Sequence, residues 1–191
     1  MTEGGRSTGP SGRVRLFVAV DLPAEVREGL AGWARTAVGV GGPRLIEPQF
    51  LHVTLCFLGH RPLASVNEIA DLALGCAMPL SELELGAPLW LPVRRPRVLA
   101  VEVRDAGGTL GELQSAVSDA LERGAGYEAE RRPFRPHVTV ARTGTRAPAP
   151  ASRQLAPTPA FTFTAEALTV YRSHLARAGA RYEPLARIEL S

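Results

Sequence analysis

Lysine is missing from this 191-residue sequence; all 22 basic residues are arginine. A catalytic or adenylated lysine and a lysine-bearing phosphate loop are therefore excluded. The bias accompanies abundant Ala, Gly and Pro, which points to genome composition more than to function. Only two cysteines occur, Cys56 and Cys76, in separate apolar segments. They form neither a disulfide framework nor a C-x-x-C site, so buried free thiols in a reducing cytoplasm are expected. No apolar run reaches the roughly 18 residues of a membrane span. The stretch 1–12 is rich in Gly, Ser and Thr and has no apolar segment, so it reads as a disordered tail and not a secretory signal. Aromatics make up only 6% of the chain, too few for a broad base-stacking surface.

What is present suffices for a core. Apolar residues are 45% and charged residues 21% of the chain, which excludes wholesale disorder. The length fits one domain or two closely packed lobes, expected over 13–191. A net charge of +3 is compatible with a polyanionic ligand but argues little by itself.

Arg15–Val20 is a short apolar run stopped by Asp21-Leu22-Pro23, the pattern of a buried strand. Helical spacing follows from Val26 to Ala37, with Pro23 at its start and Gly39 at its end. Leu51–Leu58 reads as a strand ended by Gly59, and Leu63–Ala77 as an amphipathic helix. Further strands are expected at Ser81–Leu85, Pro88–Leu91, Arg97–Val103, Pro136–Arg142, Phe161–Tyr171 and Tyr182–Leu190. A third helix is expected over Gly108–Arg123. Thr143–Pro159, rich in Pro, Ala and Thr, reads as a surface loop. Without regular βαβ alternation, the class is α+β with mostly antiparallel sheet.

One internal echo carries chemistry. His52-Val53-Thr54-Leu55 and His137-Val138-Thr139-Val140 repeat the same pattern, just under half the chain apart, each inside a predicted strand. Side chains alternate along a strand, so each His/Thr pair shares one face while the apolar pair takes the other. Two imidazoles presented this way suit paired general acid and general base work near neutral pH. The Thr hydroxyls two residues on can donate to an oxyanion between them. Arg142 stands at an odd offset from His137, so it reaches the same ligand only where the strand ends or bulges. His60, after Gly59, and His174, in a turn-like segment, lack the motif context and are expected to be solvated.

These motifs resemble those of the 2H phosphoesterases, and among them the RNA 2′,3′-cyclic phosphodiesterases once called 2′-5′ RNA ligases. The resemblance spans Arg13 to Leu190 and includes RLFVAVDLP, LHVTLCFLG, RVLAVEV, RPFRPHVTVAR and YRSHLARAGARYEPL. It implies two pseudo-symmetric lobes of mostly antiparallel sheet, with outer helices, around a central cleft. It further implies that His52 is the proton donor and His137 the acceptor. Thr54, Thr139 and Arg142 would hold the phosphate, and Phe57 would face the terminal base. The implied reaction is metal-independent hydrolysis of RNA 2′,3′-cyclic phosphate ends to a 2′-phosphomonoester, reversible as 2′-5′ ligation. No cofactor, metal or membrane partner is expected, and the protein is expected to be a monomer.

Rival readings are weaker. Gly5-Arg6-Ser7-Thr8-Gly9 matches a nucleophile elbow but has no strand before it. Gly124-Ala125-Gly126 follows a helix, the wrong side for a dinucleotide loop, and fits a helix cap. No carboxylate or third His stands at metal-ligand spacing from either motif. Two alternatives remain open: a related phosphodiesterase for a small nucleotide or ADP-ribose cyclic phosphate, and a non-catalytic RNA-binding module. Arg94, Arg95 and Arg97, with Arg131, Arg132 and Arg135, form either solvated loops or a rim that guides RNA.

Overall fold

Alternating burial along short apolar segments builds sheet here, and the computed structural model describes residues 12–39, 42–92, 94–144, 155–176 and 179–190. Among the described residues nine strands form: β1 (Arg13–Asp21), β2 (Arg44–Leu45), β3 (His52–Pro62), β4 (Leu83–Leu91), β5 (Val98–Arg104), β6 (His137–Arg142), β7 (Thr162–Phe163), β8 (Ala167–Ala176) and β9 (Gly179–Glu189). Three α-helices accompany them among these residues: α1 (Ala24–Val38), α2 (Val66–Leu74) and α3 (Thr109–Ala125). The tail expected over 1–12 lies outside the described residues except for Gly12, whose carbonyl accepts from the Leu63 N–H at 2.8 Å. Gly5–Gly9 and positions 145–154 of the predicted surface loop also lie outside them.

All strand pairs are antiparallel, in the order β7-β4-β5-β6-β3-β1-β8-β9, with β2 added to β6. The order is that of two lobes, β9-β8-β1-β3 and β6-β5-β4-β7, joined where β3 meets β6. That joint is a single antiparallel pair, Val53 with Val138. A local two-fold relation follows. β1-α1-β3 and β5-α3-β6 occupy equivalent places, and α1 lies against β6 while α3 lies against β3. The fold is α+β, as the residue pattern and the resemblance imply.

The helices cover the apolar face of the sheet. Val26, Leu30 and Ala34 of α1, Ile69 and Ala73 of α2, and Leu110, Leu113, Val117 and Leu121 of α3 are all buried. Each fully buried Leu or Val side chain contributes on the order of 1.5–3 kcal/mol relative to exposure.

Several boundaries differ from the sequence reading. Gly59 does not end β3; with φ of 67° it takes a conformation open to glycine, beside a register shift, and the strand runs on to Pro62. The two short strands expected at 81–91 are one, β4, with a register shift between Leu85 and Pro88. Phe161–Tyr171 breaks into β7 and β8, and His174 lies in β8 paired with Arg181, not in a turn. Gly126 takes the left-handed conformation at the end of α3, where the Tyr127 N–H caps the Leu121 carbonyl at 3.3 Å.

Candidate active site

The two motif strands share one burial sequence. From His52 to Phe57 and from His137 to Arg142 it runs half-buried, buried, half-buried, buried, buried, exposed. Two consecutive buried residues break the alternation, and the cause is a bulge in each strand. Ala19 pairs with Thr54 but Val18 with Cys56, leaving Leu55 as the extra residue. Likewise Ala100 pairs with Thr139 but Leu99 with Ala141, leaving Val140 as the extra residue. Each bulge turns the next side chain through one register step. Phe57 therefore joins His52 and Thr54 on the cleft face, and Arg142 joins His137 and Thr139. The odd offset of Arg142 is resolved by this bulge. The Ile46 N–H bonds the Val140 carbonyl at 2.8 Å, and β2 flanks Arg142 through the Arg44 pair.

All six candidate side chains line one cleft: His52, Thr54, Phe57, His137, Thr139 and Arg142. Both imidazoles are oriented by the same device. His52 Nδ1 lies 2.8 Å from the Phe50 carbonyl, and His137 Nδ1 lies 2.7 Å from the Arg135 carbonyl. A carbonyl oxygen only accepts, so Nδ1 carries the hydrogen in both rings. Nε2 is then the nitrogen that gains and loses a proton in both.

Around that shared frame the surroundings diverge. His52 stacks on Phe17 at 4.8 Å between centroids, faces the Tyr182 ring edge-on at 5.2 Å, and lies 5.8 Å from Tyr171. Burial among these rings lowers its pKa to about 4, assisted by Arg142 and His137. The bond to the Phe50 carbonyl and the charge of Asp21 oppose that shift without cancelling it. Asp21 pairs with His52 across β1 and β3 and is 7% exposed. It accepts from Tyr171 Oη at 2.7 Å, Thr169 Oγ1 at 2.8 Å and Arg187 Nε at 3.3 Å. Burial and then the Asp21 charge raise the Tyr171 phenol, so it stays protonated and donates.

Phe57 is 39% exposed, with the Arg15 guanidinium 4.7 Å from its ring centroid and the Phe17 ring parallel at 5.9 Å. Cys56, on the opposite face, is buried, and burial pushes its thiol up to about 11, which leaves it unreactive. Cys76 is half-buried. His60 is exposed, and His174 is exposed and pairs with Glu183 at 2.8 Å. Among the described residues, no group of three or more His, Cys, Asp or Glu could hold a metal ion.

Sequence reasoning missed Phe17, Phe50, Asp21, Tyr171 and Tyr182. The one local signal was Asp21, a carboxylate ending an apolar strand; the aromatic rings reach His52 only through strand pairing.

A family model described as the 2′-5′ RNA ligase superfamily matches residues 17–177. The chain is 32% identical over 180 residues to the RNA 2′,3′-cyclic phosphodiesterase of Escherichia coli, covering 93% of this chain and 97% of that protein. It is 37% identical over 148 residues to the RNA 2′,3′-cyclic phosphodiesterase of Thermus thermophilus, covering 72% and 71%. The crystal structure of E. coli LigT complexed with 3′-AMP superposes with a TM-score of 0.80 at 29% identity, covering 94% of this chain and 99% of that one.

Proposed function

The chain belongs to the 2′-5′ RNA ligase superfamily, and from that premise we propose that it opens 2′,3′-cyclic phosphates at RNA ends, leaving a 2′-phosphate and a free 3′-hydroxyl. Cyclic phosphodiester hydrolysis is its chemistry. The observation that carries the finer reading is the pair of imidazoles, each with Nδ1 tied to the carbonyl two residues before it and Nε2 left to the cleft.

Water attacks phosphorus and gives its proton to His137 Nε2. The P–O3′ bond breaks, and His52 Nε2 gives its proton to the departing oxygen. The phosphorane-like charge falls on the non-bridging oxygens, within reach of the Thr54 and Thr139 hydroxyls and the Arg142 guanidinium. These donors supply charge stabilisation without a metal, so activity should survive exhaustive chelation. With a 5′-hydroxyl in place of water, the same displacement of the 3′-oxygen joins ends through a 2′-5′ linkage.

His52 donates only when protonated, and burial disfavours that form in the free cleft. The anionic phosphate restores it by placing a negative charge beside the ring. The same burial favours a second reading with the roles exchanged, since a base must enter neutral.

The test is a short RNA ending in 2′,3′-cyclic phosphate, with products identified by phosphorus NMR. No turnover, or loss of turnover on chelation with recovery on adding one metal, would refute the proposal. A companion substrate with sulfur replacing the 3′-oxygen separates the two role assignments. A thiolate leaves without a proton donor, so this substrate should rescue His52→Ala if His52 is the acid, and His137→Ala if the roles are exchanged.

A further inference from the structure

The catalytic cleft opens into a second, larger space. A groove of about 630 Å³ shares Thr54, Phe57, His137, Thr139 and Arg142 with the cleft and continues between α3 and the segment 127–135. Its size lies within the roughly 300–1,000 Å³ that buries a ligand of several rings. One wall is a stripe of α3 carrying Gln114, Ser115 and Asp119; the other carries Arg132, Phe134 and Arg135.

The second wall is held in place. Gly126 turns the chain out of α3, buried Tyr127 anchors it, and the Arg135 carbonyl receives the His137 Nδ1–H. The Arg135 guanidinium lies 3.7 Å from Glu102, whereas exposed Arg132 makes no ion pair among the described residues. Of the arginines that the sequence offered as a rim, Arg132 and Arg135 line this groove; Arg94, Arg95, Arg97 and Arg131 do not.

We propose that this groove holds the RNA nucleotides immediately upstream of the cyclic phosphate. This deepens the reading above and rests on it. Arg132 and Arg135 meet backbone phosphates, while Gln114, Ser115 and Asp119 meet base and ribose edges. A site for a simple polyanion has no use for Asp119, but unpaired bases bring amino donors that a carboxylate accepts. Phe134 adds an apolar face between the two arginines.

The experiment compares kcat/KM for a short oligonucleotide bearing a 2′,3′-cyclic phosphate with that for the cyclic mononucleotide of the same terminal base, across a salt series. The wild-type enzyme should favour the oligonucleotide. Arg132→Ala should lower the ratio about tenfold and reduce the log–log salt slope by about 0.7, one phosphate contact on a single strand. Arg94→Ala, also exposed but outside the groove, should retain the wild-type ratio.

A wild-type enzyme without length preference would overturn the groove while leaving the cyclic-phosphate reading intact. So would a wild-type ratio in Arg132→Ala, or an equal fall in Arg94→Ala. Turnover of neither substrate would overturn both.

Discussion

The strands bearing His52 and His137 are copies of one backbone design placed in two different environments. Both tie Nδ1 to the carbonyl two residues back, both bulge after the Thr, and both then turn a further side chain into the cleft. That side chain is Phe57 in one lobe and Arg142 in the other. His52 sits among Phe17, Tyr171 and Tyr182, with buried Asp21 behind them. His137 adjoins the Arg-bearing segment and the open groove. Symmetry of the backbone brings two equivalently tethered imidazoles to one cleft. The asymmetry of what surrounds them gives one side an aromatic wall and the other an arginine and an open groove.

Removing either half of the pair tests the shared part of the design. His52→Ala and His137→Ala should each lower kcat by about 10²–10⁴-fold with the fold intact, because neither ring belongs to the core. Steady-state kinetics beside circular dichroism checks this. Retention of more than about a tenth of activity in either variant would end the paired assignment.

Replacing Arg142 or Phe57 tests the part that is not shared. Arg142→Ala should cost about 2–4 kcal/mol in kcat/KM, the scale of an oxyanion donor, and Arg142→Lys less, because an ammonium keeps the charge but cannot grip two oxygens in a planar fork. An unchanged kcat/KM in Arg142→Ala would place this side chain outside the reaction. Phe57→Ala should act mainly on KM, by about 1–3 kcal/mol if the ring stacks on a base.

The aromatic enclosure of His52 predicts a pH signature of stability. Its folded pKa, about 4, lies below the ordinary 6.5, so the unfolded chain takes up the proton first as pH falls. Stability should decline through that window by roughly 3 kcal/mol and level off below it. Denaturant unfolding of wild type and His52→Gln at pH 7, 5.5 and 4 isolates this part, since the variant should lack it. Parallel curves for the two proteins would show that His52 is not held neutral by its surroundings.

Asp21 gives the smallest and most specific expectation. Its charge raises the proton affinity of His52, so Asp21→Asn should move the limb of the kcat/KM profile that His52 governs to lower pH. A pH profile superimposable on that of wild type would show that Asp21 only braces Thr169 and Tyr171.

The paired His-x-Thr strands, their apolar backs and the faces of the three helices were legible in the sequence. They depend on periods of two and 3.6 residues that the local backbone imposes on any chain. The placement of Phe57 and Arg142 came from the family resemblance and not from alternation, because a one-residue bulge reverses facing beyond it and shows itself only in the register with β1 and β5. The wall around His52 was not legible. Phe17, Tyr171 and Tyr182 come from three strands, and Tyr171 reaches Asp21 across 150 residues of sequence. Local alternation decides which side of a strand is polar; only the pairing of distant strands decides what stands opposite, and hence which imidazole is buried and which is open.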